Sequence, residues 1–143
     1  MVRRMNEPNV ILEMLGGASR APRTLAVVGL SDNPMKPSFY VSEYMQRHGF
    51  RILPVNPALD SVLGQKCFPT LTDLPIKPDI VNVFRLPKFI PAIVDDMITL
   101  SFDNLWVQQG ILHLEAAARA EAAGISVVMD RCIMVEHSRL LHQ

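Results

Sequence analysis

The chain has 143 residues, enough for one domain with a sizeable core, and its 49% hydrophobic and 20% charged residues are ordinary for a globular protein. Fourteen basic residues offset fourteen acidic ones, which removes any general pull toward nucleic acid or an anionic membrane. No apolar run approaches the roughly 18 residues of a membrane helix, and Cys67 and Cys132 lack metal-ligand spacing, so they read as reduced thiols of a cytoplasmic protein.

The first residues, MVRRMNEPNVILEMLGG, carry two arginines, but their apolar stretch is short and broken by Glu13, which is no signal-peptide pattern. Met5 could serve as an alternative start, which would make residues 1–4 dispensable. NEPNVILEML (6–15) predicts a short helix with Asn6 as N-cap, Glu7 and Pro8 in the first turn and Gly16-Gly17 as its end. TLAVVGL predicts a buried strand, because valine and leucine follow one another without polar alternation. SFYVSEYMQRHG (38–49) predicts a helix capped by Ser38 and stopped by Gly49, with Val41, Met45 and Tyr44 on its inner stripe.

FRILPVNP (50–57) is the second strand, stopped by its prolines, and QKCFPT (65–70) suits a short edge strand. TLTDLP resembles one helical turn, and DIVNVFR (79–85) is another buried strand. KFIPAIVDDMITLS (88–101) predicts a helix that tolerates Pro91 only in its first turn. NLWVQQG (104–110) reads as a strand, LHLEAAARAEAAG (112–124) as an alanine-rich helix closed by Gly124, ISVVMD (125–130) as the last strand and EHSRLLH as a short tail.

Strands and helices alternate throughout, which means parallel strands joined by right-handed crossovers with helices on both faces. The expected fold is a single α/β domain: an open, doubly wound sheet of about five or six strands in the order 3-2-1-4-5-6, preceded by a helix and lead-in over residues 1–20.

Ligands of such sheets bind beyond the carboxyl ends of the strands. The segments there are GLSDNPMKPS, PVNP, FRLP, QQG and DRC. In the first, Gly29 permits a tight turn and close approach, Ser31 offers a hydroxyl, Lys36 a positive charge, and the helix start near Ser38 free N–H groups, a set that suits a pyrophosphate. The same residues could equally do no more than turn, cap and face solvent. Asn56 could bond a base or ribose or cap its own turn. The acidic residue that a dinucleotide site places at the end of the second strand is missing, Asp60 lying four residues later. Arg85 sits where it could grip phosphate bidentately or form a salt bridge to Asp79 or a neighbour. Trp106 reads as core, whereas Gln108 and Gly110 are site candidates as an amide and a close-approach position. Asp130 and Arg131 could pair or cap, and Cys132 is a thiol near a helix start.

No catalytic set stands out. His48, His113, His137 and His142 adjoin no nucleophile motif, the chain contains no HExxH, nucleophile elbow or P-loop, and Asp95-Asp96 reads as a solvated helix face.

Taken in order, VGLSDNPMKPSFYV, GFRILPVNP, GQKCFPTLTDLP, DIVNVFR, LWVQQG and GISVVMDRCIMVEH resemble the bacterial CoA-binding domain family, similar to the nucleotide-binding domain of the succinyl-CoA synthetase alpha subunit. The resemblance covers about residues 20–140. It implies a Rossmann-like domain whose ligand is coenzyme A or an acyl-CoA. The loop from Gly29 through Leu30 and Ser31 to Ser38 would hold the pyrophosphate, with Lys36 available for phosphates. Asn56 and Pro57 would border the adenosine, Phe84 and Arg85 would face the ligand, and Gln108 and Gly110 would lie toward the pantetheine. The family's first loop is not a strict GxGxxG, in keeping with the incomplete fingerprint here. Lys88 and Phe89 stand where similar proteins often carry polar or acidic residues. The synthetase's phosphorylated histidine belongs to a second domain that the resemblance does not reach, so that activity is not implied.

The leading expectation is a stand-alone CoA-binding protein acting as carrier or sensor without catalysis, touching neither nucleic acid nor membrane. The rivals are a small NAD(P)-dependent or CoA-thiol enzyme using the same strand-end site, and an interaction module that binds no ligand. The apolar segment IMVEHSRLL could cover its own core or a second copy in a homo-oligomer.

Overall fold

The computed structural model describes residues 4–17 and 23–142, so part of the expected lead-in over residues 1–20 lies outside the described residues. Parallel strands β1 (Thr24–Val28), β2 (Arg51–Val55), β5 (Ile80–Val83), β6 (Asn104–Val107) and β7 (Ser126–Met129) form one sheet in the order β2-β1-β5-β6-β7. Between β2 and β5 a small antiparallel hairpin pairs β3 (Ser61–Val62) with β4 (Gln65–Lys66). The doubly wound expectation holds, and five strands make up the main sheet. Of the expected edge strand over 65–70, Gln65–Lys66 form β4 of the hairpin, and the tie to the main sheet is one parallel bridge between Val55 and Phe68, whose amide donates to Pro54 O at 2.9 Å. Pro69 follows at once and has no N–H with which to extend the pairing.

Helices cover both faces. On one, α1 (Pro8–Met14), α2 (Pro37–Arg47) and α5 (Ile133–Leu141) bury Val10, Val41, Met45 and Ile133 against Leu25, Val27, Ile80 and Trp106. On the other, α3 (Ile90–Leu100) and α4 (Leu114–Ala122) bury Val94, Met97, Ala116 and Ala120 against Ala26, Val81, Leu105 and Val127. The expected single turn after β4 is a 3-10 turn over Leu71–Asp73, closed by a capping box between Thr70 and Asp73. Trp106 is fully buried, and its indole donates to Arg131 O at 2.9 Å. No helix among the described residues is long and apolar enough to cross a membrane.

Several local expectations change. Asn6 is not the N-cap of α1, a place taken by Glu7 without a side-chain bond. Asn6 sits at φ +67° and clips onto the free edge of β7 instead, its amide donating to Met129 O at 2.8 Å while its Oδ1 accepts from Met129 N at 2.7 Å. Ser38 is not the cap of α2 either: Pro37 starts that helix, Lys36 holds the N-cap position, and Ser38 is drawn inward to accept the amide of Ser31 at 2.9 Å. The strand expected over 104–110 ends at Val107, because Gln108–Gly110 turns toward α4, Ile111 N donating back to Gln108 O. The C-terminal segment, expected as a short tail, is a nine-residue helix packed on its own chain.

The amino ends of the strands are pinned by Asp79, which accepts from Thr24 N and Thr24 Oγ1, each at 2.8 Å, and pairs with Arg23 at 3.4 Å. Burial works against its charge, but the Thr24 hydrogen bonds and the Arg23 guanidinium outweigh it and hold the carboxyl below the usual range. That pairing excludes the alternative in which Asp79 binds Arg85.

Candidate functional site

The carboxyl ends of β1, β5, β6 and β7 open into a groove of about 750 Å³ between α2 and α5. From β1 and its loop it receives Gly29, Ser31 and Lys36, and from α2 Ser38, Tyr40 and Val41. Phe84 follows β5, Gln108 and Gly110 follow β6, and Cys132, Met134 and Val135 close the far side. Most of the lining is apolar with a few polar groups, the usual make-up of a small-molecule site.

Gly29 is fixed by its surroundings. Its φ is +87°, and a β-carbon there would stand 2.8 Å from Phe84 O and 3.0 Å from Arg85 Cδ. Only a residue without a side chain leaves this ridge low enough for the backbone to approach a ligand. The following loop is held by its own polar groups: Ser31 Oγ accepts from Asn33 N, Asn33 Oδ1 from Met35 N, and Asn33 O from Lys36 N, each at 3.0 Å. The loop delivers Lys36 to the start of α2, where no side chain caps the helix. Among the described residues the Lys36 ammonium has no ion-pair partner. An uncapped helix start next to an unpaired lysine favours an anion.

The other expected residues divide. Leu30 is fully buried and does not line the groove. Asn56 ties β2 to the loop, donating to Leu30 O at 2.9 Å and accepting from Ala58 N at 2.8 Å. Pro57 and Arg85 line a second, smaller cleft of about 190 Å³, together with Val28, Val55, Pro69, Thr70 and Asp96. Just past the end of β5, Phe84 lines the large groove and Arg85, the next residue, the small cleft. The two meet at the Gly29 ridge. The Arg85 guanidinium lies 4.0 Å over the ring of Phe89, and the Lys88 ammonium is 5.3 Å from the same ring. The unusual Lys88-Phe89 pair thus supplies a platform for Arg85.

At the far side, Gln108 is buried and its Oε1 accepts from Ile133 N at 3.1 Å, capping α5. Gly110 N donates to Asp130 Oδ1 at 2.7 Å, and Asp130 sits at φ +60°. Asp130 therefore caps a turn, and Arg131 donates to its backbone oxygen. Cys132 occupies the N-cap position of α5 with its side chain on the groove. Tyr40, Met134 and Val135 were not expected. Their signal was available in the two helices that flank the strand ends, each of which leaves a large apolar residue exposed near its start, Tyr40 and Val135. No cluster of histidine, cysteine and acidic residues among the described residues could hold a metal ion.

The CoA binding domain family matches residues 23–138. Uncharacterized protein YneT of Bacillus subtilis (strain 168) is 40% identical over 116 residues, covering 81% of this chain and 86% of that one. Acetate–CoA ligase [ADP-forming] II of Archaeoglobus fulgidus is 33% identical over 75 residues, which is 51% of this chain and only 11% of the ligase. Among solved structures, a protein from Thermus thermophilus is 40% identical with a TM-score of 0.80, the match covering 85% of this chain and 92% of the other. A hypothetical protein from Pyrococcus horikoshii OT3 is 33% identical with a TM-score of 0.85, covering 97% of each chain.

Proposed function

The chain belongs to the CoA-binding domain family, and from that premise we propose that it binds coenzyme A, or an acyl-CoA, across the Gly29 ridge as a carrier or sensor. The observation that carries the reading is the ridge itself, whose backbone is kept bare by a position that no β-carbon can occupy. A pyrophosphate laid over it lies beside Lys36 and the uncapped start of α2. The adenosine end drops into the small cleft between Pro57 and Arg85, and the pantetheine runs along Phe84 toward Gln108, Gly110 and Cys132. A charged arginine over an aromatic platform offers a flat face for a base and donors for phosphate. Asn56 shapes this arrangement from behind, since both ends of its amide already serve the backbone.

The residues present suit binding better than chemistry. Three polar side chains of the groove already serve the backbone: Gln108 caps α5, Ser31 accepts an amide within its own loop, and Ser38 accepts that of Ser31. No histidine reaches the groove as a base. The test is calorimetric titration of ligand-stripped protein with CoA, with NAD in parallel. Micromolar or tighter binding of CoA without binding of NAD is the expected result. Binding of neither would refute the reading, and preference for NAD would move the site to the dehydrogenase alternative.

A further inference from the structure

Both walls of the large groove are helices, and behind it the Tyr44 hydroxyl joins them, reaching both His137 and Ser138 of α5. The hydroxyl of Tyr44 on α2 lies 3.0 Å from Nδ1 of His137 on α5. His137 is 6% exposed, and Phe50 packs edge-on against its ring at 5.7 Å between centroids. His48 stacks on Tyr44 at 4.1 Å and meets His137 edge-on at 5.0 Å. Pro37, Ser38, Tyr40 and Val41, upstream on the same helix as Tyr44, and Met134 and Val135, upstream on the same helix as His137, line the groove.

We infer that His137 is a positioning residue for the ligand groove: in its neutral form it holds α5 against α2, and protonation releases that wall and lowers ligand affinity. The inference rests on the CoA-binding reading for its ligand, but not for its structural half.

In the neutral tautomer that carries its proton on Nε2, Nδ1 accepts a hydrogen bond from the phenol. Once charged, it can only donate there, so the phenol must turn round and accept. The new charge lies against Phe50 and beside His48, and among the described residues no carboxylate pairs with it. On its own helix Glu136 is engaged by Arg139 at 3.0 Å. On α2, Glu43 pairs with Arg47 at 3.5 Å, and on α1 Glu13 is exposed. Beyond Phe50, Arg51 is exposed. Burial first, and the neighbouring His48 second, push the His137 pKa below its ordinary value. The sign follows: the neutral ring stabilises the fold fully above about pH 6.5, and that contribution is lost as the pH falls below 6.5 through the depressed value.

The test compares wild type with His137→Gln, which keeps a hydrogen-bonding group for Tyr44 but does not titrate, and with Tyr44→Phe, which keeps the ring and removes the bond. CoA affinity is measured by calorimetry from about pH 7.5 to about pH 4.5, a span that starts above ordinary histidine titration and reaches well below it. Phosphate titration of CoA is common to all three proteins and cancels in the comparison. Wild type is expected to lose about tenfold more affinity than His137→Gln over this span, the equivalent of one pKa unit of linkage. Equal pH profiles would overturn the inference. In the ligand-free protein, amide exchange across 133–141, corrected for intrinsic rates, should quicken on acidification in wild type and not in His137→Gln. An α5 whose protection responds to pH in the same way in both proteins would also overturn it. If CoA binds at no pH while α5 still loosens, the binding reading fails and the positioning of α5 by His137 stands.

Discussion

The backbone oxygen of Phe84 lies 2.8 Å from the point where a β-carbon on Gly29 would stand, so the turn after β1 and the end of β5 are built to each other's shape. Gly29→Ala meets both this contact and a φ of +87°. The expected loss of stability is at least about 1–2 kcal/mol from backbone strain alone, read from urea unfolding. CoA affinity should fall as well, because Phe84 must shift. A folded variant with unchanged affinity would remove Gly29 from the site.

Arg85→Ala is expected to weaken CoA binding by roughly 1.5–3 kcal/mol, the usual size of a charged hydrogen bond, without moving the unfolding midpoint. Phe89→Leu should reproduce part of that loss, since Arg85 would lose the ring 4.0 Å beneath it. If neither change alters affinity, the small cleft is not part of the ligand site.

Cys132 reports on occupancy without any assumption about chemistry. Its side chain lines the groove, whereas Cys67 is buried and its thiol is pushed up in pKa, first by burial and then by Asp60 and Asp32. Alkylation followed by mass spectrometry should modify Cys132 first, and CoA should slow that modification. An unchanged rate with CoA bound would place the ligand away from the α5 end of the groove.

Asp79 supplies the matching control, because it stands at the opposite ends of the strands. Asp79→Asn should cost about 1 kcal/mol of stability, the low end for a charged group because the side chain is partly exposed, and leave CoA affinity unaltered. Its carboxyl is held below the ordinary value, so its contribution is present above about pH 3.9 and is lost as the pH falls through the depressed value. The stability gap between wild type and variant should therefore close in acid.

The alternation of buried strands and amphipathic helices was legible because it depends on local hydrophobic pattern, and it correctly implied a doubly wound sheet with helices on both faces. Caps were harder to read. Asn6 and Ser38 are good local N-caps by residue type, yet each side chain finds a partner outside its own helix turn, Asn6 across 123 positions of sequence. Nothing in the flanking residues distinguishes those outcomes. At the site, the residues after each strand were legible from the strand-end rule, and Gly29, Ser31, Lys36, Ser38, Phe84, Gln108 and Gly110 do meet in one groove. The sequence left unresolved which side of the ridge each would take, and for Arg85 it suggested phosphate or a salt bridge rather than the ring of Phe89. The α2–α5 walls stayed out of view because helix packing decides them, and residues 37–47 and 133–141 have no sequence proximity.

Asn6 and Phe68 have a shared consequence for how the molecule behaves in a crowd. An open parallel sheet has two outer strands whose amides and carbonyls can recruit a stranger. Here β7 is occupied by the side chain of Asn6, and β2 by the short pass of backbone at Phe68. Each plug spans only a residue or two, too little to add a strand yet enough to deny a foreign one its register. Chains of this kind should remain dispersed at high concentration, and loss of the Asn6 clip should show itself first as slow fibril growth, before any drop in unfolding temperature.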